Sequence, residues 1–437
     1  MSIEWITVFM FGGLVVLLAL GVPLAFSTGL IAVVAALSLF GVDSLQLIAS
    51  RIFSFMGEYV LVSVPMFIMM ASLMERSGVA KELFNAMRVW AGGLPGGLAI
   101  QTMVAATLMG AMTGIIGGEI VLLGLIALPQ MLRLGYDRKL AIGTICAGGS
   151  LGTMIPPSIV LVIYGLTVNV SIGDLFTANL VPGLILSATY MLYIFIRCQI
   201  DPKLGPPAPA AERNVSFAQK LKLMGGLGLP ILVILSVLGT IYLGIASVTE
   251  AAAMGVVGTA IAAALRREFT WKMVSDSAKQ TMATCGMLLW LSFGATAMIG
   301  VYNLAGGPAF IHGLITGLDV SPVVIILIMM GILLFLGCIM DWVGICLLTM
   351  PIFVPIIKSL GYDPIWFGVL FCLNMQVSYL SPPFGPAAFY LKGVAPKDMT
   401  LDEIFSALWP FMLLQLVILT LVIFVPQTAL WLPSLND

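Results

Sequence analysis

One motif occurs twice in this chain, 226 positions apart, and any fold it adopts must accommodate two equivalent halves. Gly135-Tyr136-Asp137 and Pro156-Pro157 return as Gly361-Tyr362-Asp363 and Pro382-Pro383 with unchanged internal spacing. Gly29/Gly255, Gly118/Gly344, Pro129/Pro355 and Tyr164/Tyr390 keep the same offset, so the register holds across most of each half. Helix breakers duplicated at matching places point to transport across a membrane.

The solvent of these halves is lipid. With 60% hydrophobic and 9% charged residues, no soluble domain could hide so much apolar surface, and the chain reads as an all-α integral membrane protein. The first apolar run is longer than a signal-peptide core and has no basic residue before it, which predicts a retained helix. The six cysteines lie mostly in apolar segments, where thiols pack as small hydrophobes. A single histidine, His312, leaves little for a histidine-based triad or metal site, so the sequence argues against an enzyme. A net charge of -1 gives no reason to expect a nucleic-acid partner.

The apolar runs predict a first inverted repeat over 1–197, a proline-rich cytoplasmic linker over 198–222 and a second inverted repeat over 223–437. Each half is expected to hold a re-entrant hairpin (94–133 and 321–360) followed by a broken helix (139–165 and 364–391). With the amino terminus outside and the hairpins turning within the membrane, seventeen of the nineteen lysines and arginines fall on the cytoplasmic side. Only Arg51 and Lys358 fall outside. Each half then crosses the membrane an odd number of times, so the second copy is upside down and both termini are periplasmic. Such inverted halves can open one central site to either side at similar energy, which is alternating access. Glu75 to Trp90, with Arg76, Lys81 and Arg88, reads as an amphipathic helix on the inner surface, and 43–57 as its outer counterpart.

Four segments break helical rules at membrane depth: Thr113 to Glu119, Gly148 to Ser158, Ile339 to Gly344 and Gln376 to Gly385. Tandem prolines remove two backbone donors, so helices carrying Pro156-Pro157 or Pro382-Pro383 should stop there. The freed carbonyls persist in hydrocarbon only where protein, water or a cation satisfies them. Carbonyls of Gly114, Gly117, Gly118, Gly152, Pro156, Gly344, Pro382 and Gly385, with side chains of Thr153, Asp341, Ser378 and Ser381, are candidate ligands for a bound cation such as sodium, and these residues by themselves do not choose sodium over a proton as the coupling ion. The half-helix after each break points its positive end inward, suited to an anionic cargo group. Candidate cargo contacts are Thr113, Glu119, Thr153, Ser158, Asp341, Ser378 and Ser381. The bland alternatives are kinks and close packing for the glycines and prolines, helix capping for Glu119 and Asp341, and hydroxyls bonded to their own helices.

These motifs resemble the large membrane subunit of tripartite ATP-independent periplasmic (TRAP) transporters. The resemblance rests on Leu134-Gly135-Tyr136-Asp137, Gly148-Gly149 to Ile155-Pro156-Pro157-Ser158, Asp174-Leu175-Phe176, Val181-Pro182-Gly183 and Ser381-Pro382-Pro383-Phe384-Gly385. It implies an elevator-type fold like that of the ion-transporter superfamily in a bacterial inner membrane. It further implies sodium-driven uptake of an organic acid, with Na+ as coupling ion and no organic cofactor. The implied partners are a periplasmic substrate-binding protein and a small four-helix membrane subunit, expected here as a separate chain. The Gly117-Gly118-Glu119 hairpin and Tyr390-Leu391-Lys392-Gly393 are more similar to the mannitol, chloroaromatic and 2-oxoacid branch than to serine-rich sialic-acid or dicarboxylate members, which favours a small monocarboxylate or hydroxy acid. A stand-alone sodium- or proton-coupled carboxylate carrier would show the same breaks. A hydrolase lacks a base near them, and a channel would call for rings of pore charges.

A periplasm-active reporter fused after residue 437 should be active, and the same reporter inserted at Arg213 silent; the opposite pattern would invert the topology.

Overall fold

The computed structural model describes residues 2–78, 82–84, 93–114, 116–207, 228–317 and 320–435. Most of the expected surface helix around Lys81, Arg88 and Trp90, tip residue Ile115 and linker positions 208–222 lie outside the described residues. All regular elements described are helical, and six of the helices are long and apolar enough to cross a bilayer. Their all-apolar character follows from lipid on one side and protein on the other: Trp271–Leu304 and Leu401–Phe424 each have about half of their most apolar window buried in protein.

The packing is reciprocal between the halves. Leu24–Phe40 lies against Trp271–Leu304, and Val248–Leu265, its counterpart at the 226-residue offset, lies against Ser63–Arg76. Arg138–Ser150 packs on Leu401–Phe424, and Pro364–Leu380 packs on Ile172–Ile200. Ile159–Val168 meets Trp342–Ser359, while Pro386–Val394 meets Gly118–Arg133. In each case element a of one half touches b of the other and b touches a, the pattern that a twofold relation between two copies produces. The first group forms a frame; the hairpins and interrupted helices form a second, densely buried body. An exposed tie also crosses the halves, from Arg138 to Asp398 (2.8 Å) and Glu403 (2.8 Å).

Both hairpins are present: Gly97–Thr113 with Gly118–Arg133, and Pro322–Gly337 with Trp342–Ser359. The repeated Gly-Tyr-Asp is the turn leaving each hairpin. Gly135 and Gly361 adopt φ of 78° and 80°, the left-handed conformation that glycine tolerates. Tyr136 N then donates to Met131 O and Tyr362 N to Ile357 O, both at 3.0 Å. Asp137 and Asp363 cap the next helices by accepting from Leu140 N (2.9 Å) and Ile365 N (2.6 Å). The most recognisable motif is thus a structural joint.

The breaks are narrower than the sequence suggests. Gly148, Gly149 and Ser150 remain helical, and regular α-helix is lost only from Leu151 to Ser158. In the second half helix persists through Gln376 and Ser378 to Leu380, and the gap is Ser381 to Gly385. Both Pro-Pro bonds are cis. Single prolines at 129, 351 and 355 sit inside intact helices, since neighbouring helices re-satisfy one lost bond more readily than two. The expected surface helix is also misplaced at its start, because Glu75 and Arg76 complete the spanning helix. Residues 44–56 do form a helix, but their equivalents at the same offset begin Trp271–Leu304, which runs unbroken where the first half is interrupted at Gly57-Glu58. His312 lies within the helix Gly307–Thr316.

Freed carbonyls in the first break find partners both in another helix and within the break itself. Asn179 Nδ2 donates to Met154 O (2.5 Å), and Ser158 Oγ donates to Thr153 O (2.6 Å). Asn179→Ala should therefore lower stability by roughly 1–3 kcal/mol, the penalty for stranding a buried carbonyl. The thermal midpoint of the purified protein reports it, and an unchanged midpoint would count against this accounting.

Candidate functional site

A cavity of about 540 Å³ lies where the first hairpin tip, both interrupted helices, the second hairpin tip and two frame helices converge. The first tip is a glycine turn. Helix ends at Thr113, Gly114 and Gly117 take φ of 61° and 109°, and helix resumes at Gly118 with Glu119 in its first turn. A Cβ on Gly117 would sit 3.0 Å from Tyr390 Cζ of the second interrupted helix, so the tip can lie under that ring only as glycine.

Of the residues expected from sequence, Thr113, Gly114, Gly117, Gly118, Glu119, Thr153 and Asp341 line this cavity. Glu119 is 1% exposed and accepts a hydrogen bond from Thr113 Oγ1, while its Oε2 has no partner. Gly152 stands directly behind it: a Cβ there would lie 2.7 Å from Glu119 Oε1. Asp341 faces the cavity and also caps its helix, accepting from Val343 N (3.0 Å), so the capping and lining roles coexist. Thr153 Oγ1 accepts from Gln376 Nε2 (2.6 Å), which also donates to Ser150 O (2.9 Å). Ser150 and Gln376 are equivalent positions of the two halves, so this bond joins the two copies across their shared centre.

The remaining candidates lie elsewhere. Ser158 is fully buried with its hydroxyl spent on Thr153 O. Ser378 Oγ donates to Asn374 O (3.2 Å) of its own helix, and Ser381 Oγ to Ser378 O (3.2 Å). Ser381 Oγ also approaches Cys338 Sγ (3.7 Å) on the second hairpin tip. Pro156, Pro382 and Gly385 belong to the breaks without lining the cavity, and Gly344 packs on Leu24 of the frame. The second hairpin and second break thus make their own contact, separate from the cavity.

The sequence reading missed Glu75, Gln280, Tyr379 and Tyr390, all of which line the cavity. Tyr390 was visible as the repeat partner of Tyr164, whose hydroxyl donates to Pro364 O (2.6 Å). Glu75 and Gln280 had no motif; the frame positions them, through packing of Ser63–Arg76 on Trp271–Leu304. Ser72 Oγ (3.1 Å) and Arg76 Nη2 (2.9 Å) both donate to Gln280 Oε1. The cavity therefore presents carboxylates, hydroxyls and amides, with no lysine, arginine or histidine among its described lining residues.

Comparison with known proteins agrees with this architecture. The sequence model of the family described as "Tripartite ATP-independent periplasmic transporter, DctM component" matches residues 11–428, and the chain belongs to that family, the large permease component of TRAP transporters. Among its relatives, the C4-dicarboxylate TRAP transporter large permease protein DctM of Pseudomonas aeruginosa is 33% identical over 401 residues, covering 91% of each chain. The ectoine/5-hydroxyectoine TRAP transporter large permease protein UehC of Ruegeria pomeroyi is 32% identical over 426 residues, covering 97% of each. The YdaH transporter of Alcanivorax borkumensis shares the fold at a TM-score of 0.68 and 16% identity, covering 94% of this chain and 98% of its own. The protein is accordingly a multi-pass membrane transporter component.

Gly152→Ala should displace the Glu119 carboxylate and reduce transport at least about tenfold, the equivalent of roughly 1.4 kcal/mol, while leaving the amount of folded protein in the membrane near wild type. Transport at the wild-type rate would show that this close approach carries no function.

Proposed function

We propose that this chain is the translocating subunit of a sodium-coupled importer of a small organic acid, working by an elevator movement of the hairpin body against the frame in a bacterial inner membrane. The observation that carries this reading is the convergence of hairpin tips and interrupted helices from both halves on one cavity lined by oxygen-bearing side chains. Sodium suits that chemistry. An ion without basic neighbours, among carboxylates, hydroxyls and unwound backbone, offsets the negative charge and gives an anionic cargo a counter-ion.

We assign the sodium ions to two loci. The first comprises the tip at Gly114, Gly117 and Gly118 with the break at Gly152, Thr153 and Pro156. The second is where Ser378, Ser381, Pro382 and Gly385 face the hairpin carrying Asp341 and Gly344. The elevator reading draws on the division between the frame, which packs largely on itself, and the body that holds both hairpins. The family's tripartite description supports a periplasmic binding protein and a small membrane subunit as partners. Both termini are assigned to the periplasm and the linker to the cytoplasm from the distribution of basic residues. The cargo is a small monocarboxylate or hydroxy acid, in keeping with a cavity of this volume.

Uptake in proteoliposomes containing the assembled system should follow an imposed sodium gradient and persist when the proton gradient is collapsed. Asp341→Asn and Ser381→Ala should each raise the sodium concentration for half-maximal uptake by about tenfold or more. Uptake driven by protons alone, or wild-type sodium dependence in both variants, would reject the coupling assignment.

A further inference from the structure

Tyr164 and Tyr390 occupy equivalent positions of the two halves, yet the fold employs them differently. Tyr164 is fully buried and stacked on Phe371 (ring centroids 6.0 Å apart, 25° between planes), and its hydroxyl is spent on Pro364 O. That seat exists because Gly368 has no side chain: a Cβ there would lie 2.7 Å from Tyr164 Cε1. The positions equivalent to Gly368 and Phe371 in the first half are Ile142 and Ile145, two fully buried branched side chains that fill the matching place. Tyr390 is thereby denied it. Its side chain is 43% exposed, lines the central cavity, and makes no hydrogen bond among the described residues.

The first hairpin tip fixes which end of the Tyr390 ring it meets. The atoms nearest to a Cβ built on Gly117 are Tyr390 Cζ (3.0 Å), Cε1 and Cε2 (3.2 Å each), so the hydroxyl-bearing end lies against the tip. A free O–H donor is thus held at the cavity, which has no lysine, arginine or histidine among its described lining residues. A neutral donor bonds a charged acceptor more strongly than a neutral one. Much of the remaining wall is apolar and adaptable, including Met74, Met109, Met112 and Met287. A second carboxylate on the cargo would meet that wall with no positive side chain to receive it, which is a costly burial.

We propose that Tyr390 is a specificity-determining residue of the cargo site, its hydroxyl donating to the carboxylate of a monocarboxylate whose apolar body lies on the methionines. Tyr164, the equivalent residue, is confined to holding the two halves together. The assignment rests on the reading of this cavity as the cargo site. It does not depend on which ion drives uptake.

The test is a thermal-unfolding titration of the purified full chain in lipid nanodiscs at constant sodium concentration, with chloride exchanged for isocaproate, phenylacetate, lactate or succinate. Isocaproate or phenylacetate should raise the wild-type midpoint saturably, with an apparent Kd at least about tenfold tighter than that of succinate and tighter than that of lactate. Tyr390→Phe keeps the ring on Gly117 and removes only the donor, so it should weaken that Kd by about tenfold or more. Tyr164→Phe should instead lower the midpoint in chloride and leave the Kd unchanged. The assignment is overturned by a wild-type Kd in Tyr390→Phe, by an equal loss of affinity in Tyr164→Phe, by lactate or succinate binding more tightly than both apolar-bodied acids, or by no response to any of the acids. Proton-driven uptake with this pattern of affinities intact would refute the sodium coupling and leave the tyrosine contact standing.

Discussion

A polypeptide in hydrocarbon has nowhere to send an unpaired carbonyl except to another part of the protein, and this fold depends on how that demand is met. The interrupted helices survive because other elements reach in to satisfy them. Asn179 takes Met154 O and Gln376 from the opposite half takes Ser150 O, while Ser158 takes Thr153 O within the break itself. The first two bonds each fix the position of a second element, and the Gln376 bond joins the two halves. Reciprocal helix packing then buries large side chains such as Trp366, Tyr164 and Phe411 to within 1% exposure.

The same constraint creates the site. Backbone that cannot be helical collects where protein surrounds it on all sides, and there small residues let charged groups approach closely. Gly118 and Gly152 admit the carboxylates of Glu75 and Glu119 within van der Waals reach of the main chain. The resulting pocket is rich in acceptors and holds no lysine, arginine or histidine among its described lining residues, which is the feature the proposed coupling to a cation draws on.

Much of this was legible in the residues because helix breaking has local causes. A glycine turn marked the first hairpin tip and Pro-Pro pairs marked both interruptions to within a few positions, whereas the second tip, Cys338 to Asp341, contains no glycine. The 226-residue register correctly paired Tyr164 with Tyr390 and Gly118 with Gly344. What escaped were contacts made by ordinary residues that tertiary packing brings in. Glu75 looked like part of a surface helix, and Gln280 like one polar residue on a long span, until two frame helices aligned them on the cavity. The serines at 378 and 381 failed as cavity residues for the opposite reason. Helix continues to Leu380, which directs their hydroxyls back to their own carbonyls.

Trp271–Leu304 is a single 34-residue helix, whereas the matching stretch of the other half is divided at Gly57-Glu58 into Ser44–Met56 and the segment beginning at Tyr59. A continuous helix transmits torque along its whole length; a divided one yields at its joint. Two supports descended from the same duplicated segment are therefore unequal levers, one a strut and the other an elbow, and the machine they carry is mechanically lopsided despite its near-symmetric plan.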